Sequence, residues 1–167
     1  MPIQLIKPSQ LTQGQPNYSI AVEGLEKTGK THFICSMPGP VDVAYTDPNR
    51  ATIEGFMRDG RDVNMYLVNT WDDFKEWVKM AVARELPGRT LAVDSYGFLS
   101  DKLVSKTAGP GGVVTIPQWG LIKDQNWTEL MQLLSCTQPK GDHPGYHVVV
   151  STHLVDVTDD KSNLVKV

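Results

Sequence analysis

Residues 24 to 31 read Gly24-Leu25-Glu26-Lys27-Thr28-Gly29-Lys30-Thr31, the pattern G-x-x-x-x-G-K-[ST] without a gap. Each fixed position has a chemical reason. Glycines let the backbone turn tightly and approach a ligand closely. Consecutive N–H groups in such a turn point inward and form a nest for an anion. A helix opening directly after the turn adds its positive end. The Lys30 ammonium then sits between the β- and γ-phosphates of a nucleoside triphosphate, and the Thr31 hydroxyl ligates Mg²⁺. The plainer alternative is a glycine turn before a helix with an ordinary surface lysine. Chance produces this pattern in on the order of one in a hundred chains of this size and average composition. Phosphate binding is therefore the expectation, with Gly24, Lys27, Thr28, Gly29, Lys30, Thr31 and His32 as the nucleotide contacts.

Other polar groups fall where an apolar run ends. Asp94 closes Thr90-Leu91-Ala92-Val93. A carboxylate there holds the water shell of Mg²⁺, so Thr31 and Asp94 form the expected metal site. Asp94 or Ser95 could instead cap a helix. Asp47 follows Val41 to Thr46 and is the candidate base or water-positioning group facing a γ-phosphate. Asp47-Pro48-Asn49 is also a plain turn sequence. Thr152 and His153 close His147 to Ser151, where a polar group could hydrogen-bond the γ-phosphate. The catalytic candidates are thus Lys30, Asp47 and His153. His32, His143 and His147 share no ligand spacing, so no zinc site is expected.

These residues need a scaffold that brings them to one place. The short apolar runs Tyr18–Val22, Val41–Thr46, Val63–Val68, Thr90–Asp94 and His147–Thr152 read as strands, the first of them buried. Helical segments are expected after Lys30, over Arg50–Met57, from Thr70 onward, over Phe98–Lys106 and over Trp119–Cys136. Trp127, Leu130, Leu133 and Leu134 are expected on the core face of the last, and Trp119 is weighed for base stacking. Strands alternating with helices indicate a parallel sheet covered on both faces. Ligands bind such sheets at the carboxyl ends of the strands, where Gly24–Thr31, Asp47, Asp94 and His153 all fall.

The bulk properties narrow the field. A chain of 167 residues, 40% hydrophobic and 21% charged, suits one globular domain. We read residues 1–16 as an extended lead-in and 17–167 as the core. The formal charge of −3 offers no bulk attraction for nucleic acid. Two distant cysteines, Cys35 and Cys136, argue against a disulfide framework. Without an apolar leader or membrane-length run, a cytoplasmic protein with no membrane partner is expected.

The order of these signals resembles the RecA-type ATPase core. More narrowly, it resembles the phage-encoded RecA-like NTP-binding proteins associated with single-strand annealing and recombination. The residues that carry the likeness are Lys27-Thr28-Gly29-Lys30-Thr31, Val93-Asp94-Ser95 and Thr152-His153, within a span of roughly 17 to 155. The resemblance implies an α/β P-loop NTPase three-layer fold with a RecA-like, mainly parallel sheet. It implies ATP and Mg²⁺ as ligands, with hydrolysis coupled to single-stranded DNA in phage recombination or replication. A location in the host-cell cytoplasm and a homo-oligomer are part of the same expectation. In RecA-like proteins a glutamate ends the second strand, where this chain has Asp47, so slower hydrolysis is expected. The strand ending at His153 should carry the γ-phosphate sensor and lead to a DNA-binding loop, yet Val155–Lys161 is acidic. The family's sheet order places the fifth strand between those ending at Gly24 and Asp94. The first strand then needs a further neighbour, from residues 3–7 or from sequence beyond Leu164-Val165-Lys166-Val167. A truncated chain is the expectation, and no arginine follows Arg89. Two alternatives stay open: a nucleotide-binding switch that hydrolyses little, and a small-molecule kinase with Arg50, Arg58 and Arg61 as a lid.

Overall fold

Each apolar run forms a strand, and the strands align because all five are carried back in the same direction by a crossover. The computed structural model describes residues 17–47, 50–108 and 112–153, and the backbone of 157–158 and 164–165. The elements are β1 (Ser19–Gly24), α1 (Lys30–Cys35), β2 (Val41–Tyr45), α2 (Ala51–Arg58), β3 (Val63–Leu67), α3 (Trp71–Ala83), β4 (Thr90–Asp94), α4 (Tyr96–Ala108), α5 (Ile116–Ser135), β5 (His147–His153), β6 (Val157–Thr158) and β7 (Leu164–Val165). The five-stranded sheet runs in the order β1-β5-β4-β2-β3, and every pairing in it is parallel. Gly24 lies opposite His153, and Tyr45 opposite Asp94. The register therefore aligns the carboxyl ends of four strands.

Side chains alternate between the two faces of a strand. Leu91, Val93 and Val148 pack with Trp71, Phe74 and Trp77 of α3, Leu99 and Leu103 of α4, and Ile122 and Leu133 of α5. Ala92, Val149, Val41 and Val43 pack on the opposite face with Ile34 of α1 and Ile53 of α2. Helices thus cover both faces, as the alternation of runs suggested. Phe74 is 0% exposed, and burying a side chain of that size contributes about 2–3 kcal/mol. The α3 start is locally encoded. Thr70 Oγ1 accepts from the Asp73 N–H at 3.1 Å, and Asp73 Oδ2 accepts from the Thr70 N–H at 2.8 Å. That is a reciprocal capping box.

Three expectations need correction. β1 is not buried: its residues alternate between exposed and half-buried. Among the described residues it has β5 on one side only, so apolar content did not translate into burial. The longest helix begins at Ile116, three residues before Trp119, because Thr115 and Gln118 form a capping box and Pro117 sits in the first turn. Its buried residues are Ile122, Glu129 and Leu133, while Trp127 is 63% exposed. Leu164–Val165 pairs antiparallel with Val157–Thr158 in a separate two-stranded sheet. The lead-in of residues 1–16, with its proposed pairing of 3–7, the Pro48-Asn49 turn and most of the acidic stretch after His153 lie outside the described residues. Among the described residues, no helix is long and apolar enough to cross a membrane.

The amino-end edge of the sheet holds one buried acid. Asp42 is 0% exposed and accepts from Asn64 Nδ2 at 2.7 Å and from the Gly88 N–H at 2.6 Å. Burial raises its pKa above the ordinary 3.8, although these hydrogen bonds oppose the shift. An acid with a raised folded pKa holds its proton more tightly in the folded state. Its contribution is fullest at low pH and falls as pH rises through the folded value. In urea unfolding from about pH 4 to about pH 7, the parent should lose stability relative to Asp42→Asn. A gap that stays constant or moves the other way would sink this reading.

Candidate functional site

β1 delivers the chain to Gly24, and α1 takes it up again at Lys30. Between them Lys27 has φ 61° and Gly29 has φ 88°, both left-handed. Gly29 adopts this without strain, since it has no Cβ. Gly24 is constrained by space: a Cβ there would come within 3.0 Å of Thr28 Oγ1. Thr28 itself donates to the Leu25 carbonyl at 2.8 Å, which tightens the turn.

Lys30 folds back over this turn. Its ammonium donates to the carbonyls of Gly24 at 2.8 Å and Leu25 at 2.7 Å, and the residue is only 7% exposed. Thr31 Oγ1 donates to Asp94 Oδ2 at 2.7 Å, tying α1 to the end of β4. Ser151 Oγ donates to Asp94 Oδ1 at 2.6 Å. Both carboxylate oxygens are therefore held in place. Thr46 completes the support: its N–H donates to the Asp94 carbonyl, and its hydroxyl both donates to the Ser95 carbonyl and accepts from the Ser95 N–H, each at 2.9 Å. The Asp94–Ser95 peptide is cis.

A cleft of about 610 Å³ opens at these strand ends. Lys27, Thr28, Gly29, Lys30, Thr31, His32, Asp47, Asp94 and His153 all line it, so the structure brings together every candidate except Gly24, the hinge at the base of the turn. His32 also packs edge-on against Phe56, with centroids 4.9 Å apart. His153 lies against Phe98 at 5.3 Å, and its buried Nδ1 has no hydrogen-bond partner. Asp47 stands two residues beyond the end of β2 and also borders an adjoining cleft with Arg50 and Lys102. Arg58 and Arg61 turn elsewhere: Arg58 Nε donates to the Glu54 carbonyl of its own helix, and the Arg61 guanidinium lies 6.0 Å from the Phe56 ring. Trp119 of α5 is not among the cleft's residues.

Electrostatics around the cleft favour protonated neighbours. Burial, then Asp47 and Asp94, raise the Tyr45 hydroxyl well above its ordinary range. Burial and the Asp94 charge push the Cys35 thiol up to about 11. Neither group supplies a nucleophile at neutral pH. Among the described residues no cluster of three or more His, Cys, Asp or Glu could hold a metal ion.

Sequence reasoning missed Ser151 and Thr46. Ser151 shares a face with Val149, and that face carries α1. Alternation along β5 places Ser151 and His153 on this face and Thr152 on the other. No protein-family model matches the chain, and no curated protein matches it either.

Proposed function

We propose that this chain binds a nucleoside triphosphate with Mg²⁺ in the cleft at the Gly24–Thr31 turn and hydrolyses it, as a RecA-like P-loop NTPase does. One observation carries the reading: a nearly buried ammonium and a hydroxyl–carboxylate pair face the same cleft beside a glycine turn that opens a helix. The turn and Lys30 suit a polyphosphate. Lys30 exchanges two loop carbonyls for phosphate oxygens, a charge-assisted gain. The Thr31 hydroxyl and Asp94 carboxylate are the hard oxygen donors that Mg²⁺ prefers. When bound, the cation neutralises phosphate charge during transfer. Ser151 and Thr46 keep Asp94 oriented. Asp47 orients the attacking water, and His153 contacts the terminal phosphate. The sheet order also supports the reading, since β5 lies between β1 and β4. Coupling to single-stranded DNA in phage recombination rests on the resemblance alone.

The test is equilibrium binding of ATP with and without Mg²⁺, followed by turnover with and without oligo(dT). Mg²⁺-dependent binding with DNA-stimulated turnover is the expected result. Binding without turnover would move the protein to the nucleotide-switch reading. Absence of binding would end the proposal.

A further inference from the structure

A second cleft adjoins the one at the turn. It holds about 580 Å³ and shares Tyr45 and Asp47 with the first, so the two meet at the carboxyl end of β2. Arg50, just before α2, and Lys102 of α4 both line it. α2 and α4 cover opposite faces of the sheet, so the two cations reach the cleft from opposite sides. Among the described residues the ion pairs are Lys79–Glu76 and Lys106–Asp72, and neither involves Arg50 or Lys102. The Lys102 ammonium donates to the Asn69 carbonyl at 3.0 Å, which uses one of its three donors. Asp47 and Glu54 line the same cleft.

This mixture of charges selects a ligand. The two cations repel a cation, and the two carboxylates repel an anion that has no proton to give. A protonated oxyanion satisfies both sets: its charged oxygens accept from Arg50 and Lys102, and its hydroxyl donates to a carboxylate. Phosphate keeps at least one proton near neutral pH, whereas sulfate keeps none. The position of the cleft supplies the source, on the nucleotide reading, on which this inference rests. The turn and Lys30 hold the diphosphate, and the terminal phosphate faces Asp47. In hydrolysis a water oxygen bonds to the terminal phosphorus as the bond to the bridging oxygen breaks. One water proton stays on the new phosphate and the other leaves through Asp47 to solvent. The diphosphate still fills the turn, so the freed phosphate leaves past Asp47, where the second cleft begins. We propose that this second cleft is a hydrogen phosphate site, in which Arg50 and Lys102 hold the ion released by hydrolysis and the carboxylates of Asp47 and Glu54 accept from its hydroxyl.

Inorganic phosphate titrated into the full chain without nucleotide, and followed by phosphorus NMR line broadening, should bind with Kd on the order of 1 mM. Arg50→Gln and Lys102→Gln should each weaken it about tenfold, because each removes a charge-assisted bond. Lys30→Ala should change it less than about threefold, which separates this cleft from the turn. Sulfate should need about ten times the concentration to displace phosphate; in Asp47→Asn/Glu54→Gln it should compete to within about threefold. A melting curve of each variant checks the fold. No binding at roughly 20 mM phosphate overturns the proposal. So does binding that ignores both cation variants, binding lost in Lys30→Ala, or sulfate that binds the parent as well as phosphate does. During turnover, phosphate should inhibit without competing with ATP; competitive inhibition would put it in the first cleft and also overturn the proposal. A chain that binds phosphate as described but no ATP would strike the nucleotide reading and not the phosphate site.

Discussion

A Lys30→Ala chain should bind Mg²⁺·ATP at least about a hundredfold more weakly than the parent, with turnover lost as well. That factor corresponds to about 3 kcal/mol. The size follows from the local geometry. The Lys30 ammonium is nearly buried and is already gripped by two carbonyls at 2.8 and 2.7 Å. It is therefore pre-positioned at the mouth of the turn, and little side-chain entropy is lost when phosphate oxygens replace those carbonyls. Hydrogen bonds to a charged group contribute about 1.5–3 kcal/mol each. Alanine removes them while leaving the main-chain nest intact, so weak residual binding is expected and not complete loss. The fold should survive, because Leu25 is half-exposed and water can reach the freed carbonyls. Isothermal titration calorimetry with a parallel melting curve separates the two effects. A variant that melts like the parent and binds ATP within about threefold of it would sink the assignment of Lys30.

The turn that holds Lys30 was legible because its glycines and the helix that follows are consecutive along one stretch of chain. Gly24, Gly29, Lys30 and Thr31 belong to one turn and the helix start after it, so their spacing alone brings them together. Asp94 was legible for a related reason: an apolar run ending in an acid brings the carboxylate to the carboxyl end of a strand. Ser151 was not, since its role depends on which strand lies beside β4, and that is a long-range fact. The same physics explains β1. Tyr18-Ser19-Ile20-Ala21-Val22 has the composition of a buried strand, but burial depends on what lies on either side. In α5 two apolar stripes compete, and Glu129 sits on the one that packs inward. Periodicity alone could not tell that Trp127 belongs to the other. Asp42 lies mid-run in β2, and no local signal announces that the Gly88 N–H closes on it from the loop before β4.

At the far end of the sheet, Gly145→Ala should be among the costliest single substitutions in the chain, at about 4 kcal/mol. Gly145 has φ 88°, where an L side chain is strained by roughly 1–2 kcal/mol. Strain is the smaller part. A Cβ there would overlap the Thr137 carbonyl oxygen and the Asn17 amide nitrogen. Neither neighbour can yield cheaply. The Asn17 amide is held by the carbonyls of Thr137 at 2.8 Å and Pro144 at 2.6 Å. The Gly145 carbonyl accepts from Arg89 Nη1 at 2.6 Å, and its N–H donates to His143 Nδ1 at 3.0 Å. The next residue, Tyr146, is 0% exposed and hydrogen-bonds the Leu86 carbonyl at 2.9 Å. The corner thus joins the end of α5 to the starts of β1, β4 and β5, and displacing it disturbs all of them. Gly141→Ala is the matched control. Gly141 also has positive φ, 59°, but a Cβ there would meet nothing within 4 Å. It should lose only the backbone strain, about 1 kcal/mol. For a chain of this size the two variants should then melt roughly 6–12 °C apart. If Gly145→Ala melts within about 2 °C of Gly141→Ala, overlap with Thr137 and Asn17 is not what requires glycine at this corner.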